Sequence, residues 1–185
     1  MCGRFLGYQD LEALRAHFPI DRVEATLTPN YNVVPTQIIP VIVRHDDESV
    51  LRTFRWELLP FWAKAPSIGN KMINARSETM VSKPSFRNAF KKRRCLMPAD
   101  GFYEWKGSKG SKQPVFITLP DGEPFGFAGL WEVWDDKSKA EEPLYTCTII
   151  TMDACDSIKD GYPSQDAGHP EARGFQGLDR RGDPE

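Results

Sequence analysis

The sequence predicts an α+β domain built around a curled, mostly antiparallel β-sheet or barrel with a few short helices. Many short β-like stretches are separated by turns rich in Gly, Pro and Lys. The helical segments are few and short, and they do not alternate regularly with the strands, which argues against a parallel α/β sheet. With 185 residues, of which 40% are hydrophobic, the chain has enough apolar mass for one domain with a real core.

The first part of the chain predicts one short helix and one hairpin. The helix begins after Asp10, a residue suited to an N-cap, and Pro19 ends it. Prolines interrupt residues 21–37, which predict an irregular segment. Two strand-like stretches joined by a polar turn, residues 45–48, then predict a hairpin. Its strands are residues 38–44 and 50–56.

The second part of the chain predicts a loop, then two helical segments, then five further strands. Residues 60–70 predict a long loop that carries Phe61 and Trp62, and residues 74–80 predict a helical turn. Phe86 and Phe90 lie four residues apart, which predicts a second short helix. The predicted strands are residues 95–97, 101–105, 115–119, 125–131 and 144–151.

The last 25 residues differ in composition from the rest of the chain. They contain five of the fourteen glycines and three prolines. Because such a segment buries too little apolar surface to offset its ordering entropy, we expect a disordered tail over residues 161–185. The sequence therefore predicts one domain over residues 1–160, followed by this tail.

The charge of the chain is nearly balanced, but its distribution is uneven. There are 24 basic and 26 acidic residues, and the net charge is −2. Residues 83–94 carry six cations and no acid. This run predicts either a solvated helix end or a phosphate-binding face. The chain has no long apolar run and no secretory leader, so we expect a soluble intracellular protein without a membrane partner.

The cysteines predict free thiols and no metal site. None of the four forms a CxxC pair, and the sequence indicates neither a metal nor a cofactor. Cys2 stands out, because removal of Met1 would leave an amine and a thiol on adjacent carbons, which together trap an aldehyde as a thiazolidine. The alternative is that Cys2 is a small buried hydrophobic residue.

Five other residues are candidates for a site. Asn74 offers an amide for a carbonyl or an amine, and Arg76 offers a guanidinium suited to phosphate. Glu104 lies between two aromatic residues on a predicted strand, which suits a general acid or base. Trp62 and Trp105 could stack unpaired bases. The alternatives are a buried ion pair for Glu104 and core packing for the tryptophans.

Taken together, the ordered motifs resemble the SRAP domain, the family of abasic-site-processing proteins. The motifs are Met-Cys-Gly-Arg at the start, Tyr-Asn-Val-Val-Pro, Trp-Glu-Leu-Leu-Pro-Phe-Trp, Asn-Ala-Arg-Ser-Glu-Thr and Ala-Asp-Gly-Phe-Tyr-Glu-Trp. The resemblance covers residues 1 to about 160 and implies an SRAP-like fold. It also implies a monomeric enzyme of the DNA damage response that binds single-stranded DNA containing abasic sites.

The resemblance implies a role for each matched residue. Cys2 would capture the open-chain aldehyde of an abasic site after Met1 is removed, a removal for which the family was first described as thiol autopeptidases. Asn74 would orient the amine or the sugar, and Glu104 would act as acid and base. Arg4 and Arg76 would contact phosphate. Together with the two tryptophans and the basic run, the predicted DNA-binding residues are Arg4, Arg76, Trp62, Trp105, Lys83 and Arg87.

The chain departs from the family pattern in two places. Glu57 stands where the family usually has glycine, which predicts either a cost in backbone freedom or an acid near the DNA groove. After residue 160 the chain lacks the Asp-Ile-His motif that holds the family's catalytic histidine. Shifted by one base, codons for residues 161–171 can spell that motif. We hypothesise that residues from about 161 onward are an out-of-frame read.

Two other functions remain open from the sequence. The chain could be a single-stranded-DNA-binding module that lost turnover together with the histidine. It could also be a thiol peptidase that acts on other proteins, but His17 and His45 show no sign of convergence on Cys2.

Overall fold

The computed structural model describes residues 2–108, 110–136 and 142–152. Within these ranges the chain forms eleven strands, three α-helices and two 3-10 helices. The strands are β1 Phe5–Gly7, β2 Arg22–Val23, β3 Asn30–Val33, β4 Ile38–His45, β5 Glu48–Trp56, β6 Asn74–Arg76, β7 Arg94–Ala99, β8 Gly101–Lys106, β9 Gln113–Ile117, β10 Phe125–Trp134 and β11 Leu144–Thr151. The helices are α1 Leu11–His17, α2 Ser77–Met80, α3 Arg87–Lys92, and the 3-10 helices Pro66–Lys71 and Pro120–Gly122.

Five strands close into a barrel in the order β5-β4-β7-β10-β11. The first four pairings around the barrel are antiparallel. The barrel closes where β11 pairs in parallel with β5, with Thr146 opposite Arg55 and Cys147 opposite Trp56. The predicted α+β architecture, a mostly antiparallel barrel with few short helices, is therefore confirmed.

A second sheet of four antiparallel strands, in the order β3-β1-β8-β9, packs against the barrel. Its contact with the barrel is aromatic: the ring of Phe102 on β8 lies 6.1 Å from Phe125 and 5.8 Å from Phe127 on β10. Phe5 on β1 lies 5.2 Å from Trp56 inside the barrel. Phe5 is fully buried, which contributes about 1.5–3 kcal/mol, so this packing fixes β1 and the chain start beside the barrel.

The first helix and the hairpin agree with their predictions. The Asp10 carboxylate accepts a hydrogen bond from Ala13 N at 2.9 Å, which caps α1. The hairpin forms from β4 and β5 in continuous register from Ile38 opposite Arg55. The cysteines described, Cys2, Cys95 and Cys147, are free and buried, and Cys155 lies outside the described residues.

Two predictions are wrong in part. Residues 74–76 form strand β6, and the helix begins only at Ser77. Because the edge of β11 is available there, the backbone of these three residues pairs with residues 149–151 instead of starting a turn. The segment 21–37, predicted to be irregular, contains β2 and β3. Both are short strands that sheet neighbours hold in place.

Residues 57–73 form a loop between β5 and β6. Both of these strands pair with β11, β5 at residues 146–147 and β6 at residues 149–151. We call it the 57–73 loop. Leu58 N donates to Met72 O at 3.1 Å and closes its neck. On the barrel side, Trp134 Nε1 donates to Ala63 O at 2.7 Å. The loop is thus held at both its neck and its far side.

No α-helix within the described ranges has the length and apolarity to cross a membrane. The predicted tail, residues 161–185, lies outside the described residues.

Candidate active site around Cys2

Cys2 precedes β1, the inner strand between β3 and β8, and it is buried with 5% of its surface exposed. Its thiol Sγ lies 3.8 Å from the carbonyl oxygen of Arg4, to which it donates a weak hydrogen bond. The pairing of β1 with two strands places this end of the chain in the second sheet beside the barrel. Cys2 is therefore a fixed group and not part of a free terminus.

Asn74 holds Cys2 from the opposite side. Its Nδ2 donates to the Cys2 carbonyl oxygen at 2.8 Å, across 72 residues of sequence. Asn74 is the first residue of β6 and lies opposite Ile149 on β11, so the barrel edge positions it. The other amide atom, Oδ1, is buried and has no hydrogen-bond partner in the described part of the chain. That oxygen can accept a hydrogen bond from a ligand.

Glu104 on β8 acts on the Cys2 thiol through its charge. The pKa of Cys2 is raised to about 11, and burial is the largest cause. The hydrogen bond to Arg4 opposes this rise, and the negative charge of Glu104 adds to it. The carboxylate is therefore near enough to the sulfur to disfavour a second negative charge. At neutral pH the thiol keeps its proton, and a carboxylate stands close to it.

Arg4 lies beside the same strand pair. Its Nη1 donates to Asn32 Oδ1 on β3 at 2.8 Å. The Asn32 backbone in turn donates to Asn30 Oδ1 at 2.9 Å, which supports that geometry. Arg76 is exposed at the end of β6, two residues after Asn74. Arg4 thus directly precedes β1, and Arg76 ends β6, the strand that begins with Asn74.

The two predicted stacking residues lie in different places. Trp62, with 47% of its surface exposed, lies next to exposed Phe61 in the 57–73 loop. Trp105 is equally exposed but follows Glu104 directly on β8, so the alternation of a strand points it to the opposite face of the sheet. The two tryptophans therefore belong to different elements, and Trp105 faces away from the side of the sheet that carries Glu104.

The basic run divides into exposed and paired members. Lys83 and Arg87 are exposed, with Arg87 opening α3. Arg93 is paired: its Nη2 lies 2.7 Å from Glu132 Oε1, and the side chain of Glu132 is 4% exposed. Arg93 is therefore a structural member of the run, and the exposed cations remain candidates for phosphate.

Glu57, the departure from the family pattern, is neither strained nor exposed to a groove. Its backbone does not adopt a positive φ, so the position does not require glycine. The side chain is 1% exposed and lies 2.7 Å from Arg55 Nε. It is covered by Gly69, where an added Cβ would lie 2.9 Å from Glu57 Cδ. Burial raises the pKa of Glu57 and Arg55 lowers it in part.

The histidines predicted for a peptidase do not meet Cys2 in the described residues. His17 Nδ1 contacts Ala13 O at 3.0 Å within α1. His45 contacts Asp46 at 3.0 Å in the β4–β5 turn. The region in which the family carries its histidine lies outside the described residues.

Sequence reasoning singled out Asn74 but missed Asn32, the polar residue of this site that accepts the hydrogen bond from Arg4. Asn32 lies in the Tyr-Asn-Val-Val-Pro motif, which was a usable signal for it.

The chain matches a family model and named relatives over most of its length. The SRAP model, SOS response associated peptidase, matches residues 1–161. The abasic site processing protein YoqW of Bacillus subtilis is 44% identical over 163 residues, covering 86% of this chain and 72% of the relative. The abasic site processing protein HMCES of Gallus gallus is 36% identical over 185 residues, covering 84% and 54%.

Solved structures agree with these matches. A crystal structure of a protein from Bacteroides thetaiotaomicron has a TM-score of 0.72 and 28% identity, covering 91% of this chain and 74% of that one. A crystal structure of a protein from Bordetella bronchiseptica has a TM-score of 0.69 and 28% identity, covering 84% and 74%. With a family model over residues 1–161 and relatives of this similarity, the chain belongs to the SRAP family.

Proposed function

We propose that this protein processes abasic sites in DNA by capturing them covalently. It binds single-stranded DNA, and after removal of Met1 the N-terminal Cys2 forms a thiazolidine with the open-chain aldehyde of the abasic sugar. The observation that carries the proposal is the fixed position of Cys2. Asn74 Nδ2 donates to its carbonyl oxygen at 2.8 Å, and the charge of Glu104 contributes to the raised pKa of its thiol. Relatives named abasic site processing proteins support it.

The capture balances with the loss of one water. The Cys2 amine adds to the aldehyde carbon, and the carbinolamine loses its hydroxyl with a proton as water, giving an imine. The thiol sulfur then adds to the imine carbon, and the thiol proton ends on the nitrogen as the five-membered ring closes. We assign the proton transfers between these steps to Glu104, whose charge acts on the Cys2 thiol. A thiol with a pKa of about 11 keeps its proton for the last of them.

The DNA contacts follow from charge and exposure. Arg4 and Arg76 offer guanidinium groups to the phosphates on either side of the captured sugar. Trp62, which lies in the 57–73 loop, stacks on a base of the DNA. Lys83 and Arg87 extend the cationic surface. Trp105 contacts DNA only if the strand also reaches the face of the second sheet opposite Glu104. We propose that the protein acts as a monomer inside the cell, where its DNA substrate is.

The test is a denaturing gel of the purified protein after incubation with an abasic single-stranded oligonucleotide. We expect a heat-stable band of protein linked to DNA from the wild-type chain. Cys2→Ser should abolish it, since an oxazolidine formed with a hydroxyl is far more labile than a thiazolidine. A persistent heat-stable band from Cys2→Ser would contradict the mechanism.

Removal of Met1 is part of the same proposal, whether the chain removes the residue itself or another enzyme does. Retained Met1 would convert the Cys2 amine into an amide and block imine formation. Intact-mass measurement of crosslinking protein should therefore show the loss of one methionine. Crosslinking by protein that retains Met1 completely would refute this step.

A second candidate function is favoured by one observation, the absence of the Asp-Ile-His motif after residue 160. Under this candidate the chain binds single-stranded DNA without turnover. Retention of an abasic oligonucleotide on a native gel, with no band on the denaturing gel, would identify it. The peptidase alternative would require Cys2-dependent cleavage of a generic protein substrate, and no contact with His17 or His45 supports it.

A further inference from the structure

The turn after β3 places a threonine where a glycine is normally found. Residues 34–37 form a tight turn, closed by Gln37 N donating to Val34 O at 3.3 Å, with Pro35 in the second position. Thr36 in the third position has a φ of 74°. This is the pattern of a type II turn, whose third residue is usually glycine or asparagine because it needs a positive φ.

Thr36 is the wrong kind of residue for that backbone. A branched Cβ crowds the backbone at positive φ, so a β-branched residue there is a true outlier. The other non-glycine residues with positive φ in the described ranges are all aspartates, which tolerate it. They are Asp46, Asp47 and Asp121. For the stability of the turn alone, glycine or asparagine would therefore be more favourable than threonine at position 36.

The Thr36 side chain makes no hydrogen bond within the described part of the chain. The residue is exposed. The hydrogen bonds here come from the backbone: Thr36 N donates to Trp56 O at 2.9 Å, and Trp56 N donates to Gln37 O at 2.9 Å. A residue with a strained backbone, whose side chain makes no hydrogen bond within the described residues, indicates that the side chain binds a ligand.

The position of the turn indicates what that ligand is. On one side the turn follows β3, whose Asn32 holds the Arg4 guanidinium at 2.8 Å. On the other side its hydrogen bonds to Trp56 attach it to the residue directly before the 57–73 loop. Gln37 Oε1 also accepts from Asn30 Nδ2 and Val34 N, both at 3.2 Å, which fixes the turn from inside. The turn that carries Thr36 thus lies between β3, whose Asn32 holds Arg4, and the loop that carries Trp62.

We propose that Thr36 is a DNA-contacting residue whose hydroxyl donates a hydrogen bond to a backbone phosphate of the bound strand, between the positions served by Arg4 and Trp62. This rests on the proposed function, because it names a contact of the same site. Serine and threonine hydroxyls commonly bind DNA phosphates, where they set the position of the strand and not its sequence preference.

The test compares three replacements by their affinity for an unmodified single-stranded oligonucleotide. Thr36→Ala removes the hydroxyl and should weaken binding about tenfold, as loss of a hydrogen bond to a charged group does. Thr36→Ser keeps the hydroxyl and should bind as the wild type does. Thr36→Gly should weaken binding like the alanine variant while its melting temperature stays equal to or above that of the wild type, because the turn is relieved.

Asp47→Gly is the matched control, since Asp47 also has a positive φ, in the distant β4–β5 turn. We expect its affinity to equal that of the wild type. The proposal is overturned if Thr36→Ala and Thr36→Gly bind as tightly as the wild type, or if Thr36→Ser loses as much affinity as they do. Crosslinking by the wild type to an abasic oligonucleotide tests the proposed function separately, because the affinity measurements involve no abasic site.

Discussion

The Cys2 thiol differs from the low-pKa thiols that serve as nucleophiles in cysteine proteases. Those are thiolates at neutral pH because a cation or a helix N-terminus stabilises the charge. Cys2 is buried and close to the carboxylate of Glu104, and its pKa is about 11. A protonated thiol is a weaker nucleophile than a thiolate. When it attacks an imine formed by the amine of the same residue, the proximity of the two groups compensates for this weakness. Its protonated state therefore fits capture of an aldehyde better than attack on a peptide bond.

Replacement of Glu104 by glutamine should move two properties of Cys2 in opposite directions. Removing the negative charge lowers the pKa of the thiol, so alkylation by iodoacetamide at pH 8–9 should become faster. Crosslinking to an abasic oligonucleotide should become slower by about 10²–10⁴-fold, the usual worth of a proton-transfer group. Stopped alkylation followed by intact mass measures the first rate, and a timed denaturing gel measures the second. A drop in both rates would mean that Glu104 only supports the structure.

Glu57 predicts a stabilising substitution. Because burial raises its pKa above the usual value despite Arg55, the native state binds a proton more tightly than the unfolded chain does. The charged form therefore costs stability at neutral pH, and this cost disappears as the pH falls below the ordinary pKa of a glutamate. Glu57→Gln should raise the melting temperature at pH 7.5, by about 2–4 °C for each kcal/mol gained. The difference from the wild type should vanish near pH 4.

Glu132→Gln is the control for this effect, because Glu132 is also buried but is bound by Arg93 at 2.7 and 2.8 Å. Breaking that charge pair should lower the melting temperature at pH 7.5. If Glu57→Gln lowers it as well, the contact with Arg55 outweighs the cost of burial and the expectation for Glu57 is wrong.

At the scale of elements, strands with long apolar runs could be predicted, whereas strands that form only through their pairing partners could not. The hairpin of β4 and β5 could be predicted because nearly all of its apolar residues are buried and a polar turn separates its two strands. Strand β6 could not, because Asn74–Arg76 has no strand pattern and is extended only through its pairing with β11. The same holds for β1, three residues long, which pairs on both sides with strands far along the chain.

The basic segment around α3 predicts how DNA binding depends on salt. Each phosphate contact on a single strand lowers the logarithm of affinity by about 0.7 per tenfold increase in salt. Replacing both Lys83 and Arg87 by alanine should therefore reduce the slope of a salt titration by about 1.4. Arg93→Gln is the comparison: since Arg93 is held by Glu132, its loss should lower the melting temperature and leave the slope unchanged. An affinity insensitive to salt would reduce the segment to a solvated surface.

At the scale of the whole molecule, the candidate site could be predicted only because family motifs identified its members. Nothing in spacing joins Cys2 to Asn74, which lie 72 residues apart and meet because β1 and β6 belong to different sheets that pack together. The sequence likewise could not show that Glu57 is buried or that Arg93 is paired. Both depend on which elements cover them, Gly69 in one case and β10 in the other.

Restoring the reading frame after residue 160 should raise both the rate of capture and the stability. Capture needs only an aldehyde, an amine and a thiol, so the 185-residue chain should crosslink slowly. The family's histidine, which the resemblance assigns to opening of the closed sugar, should add about 10²–10⁴-fold. Timed gels and thermal melts of the two chains measure the effects. Equal crosslinking rates would contradict the role assigned to the histidine, and sequencing of the encoding DNA checks the frame itself.

The pairing order of the strands has a consequence for the newly made chain. β1 pairs with β3 and β8, and the barrel closes through β11, so the surroundings of Cys2 cannot form early in translation. At about 5–20 residues per second, the roughly 100 residues between β1 and β8 take about 5–20 seconds to synthesise. During that interval the start of the nascent chain is open to a ribosome-associated processing enzyme and to stray aldehydes. Folding later buries the same sulfur and so reduces its access to reagents in solution.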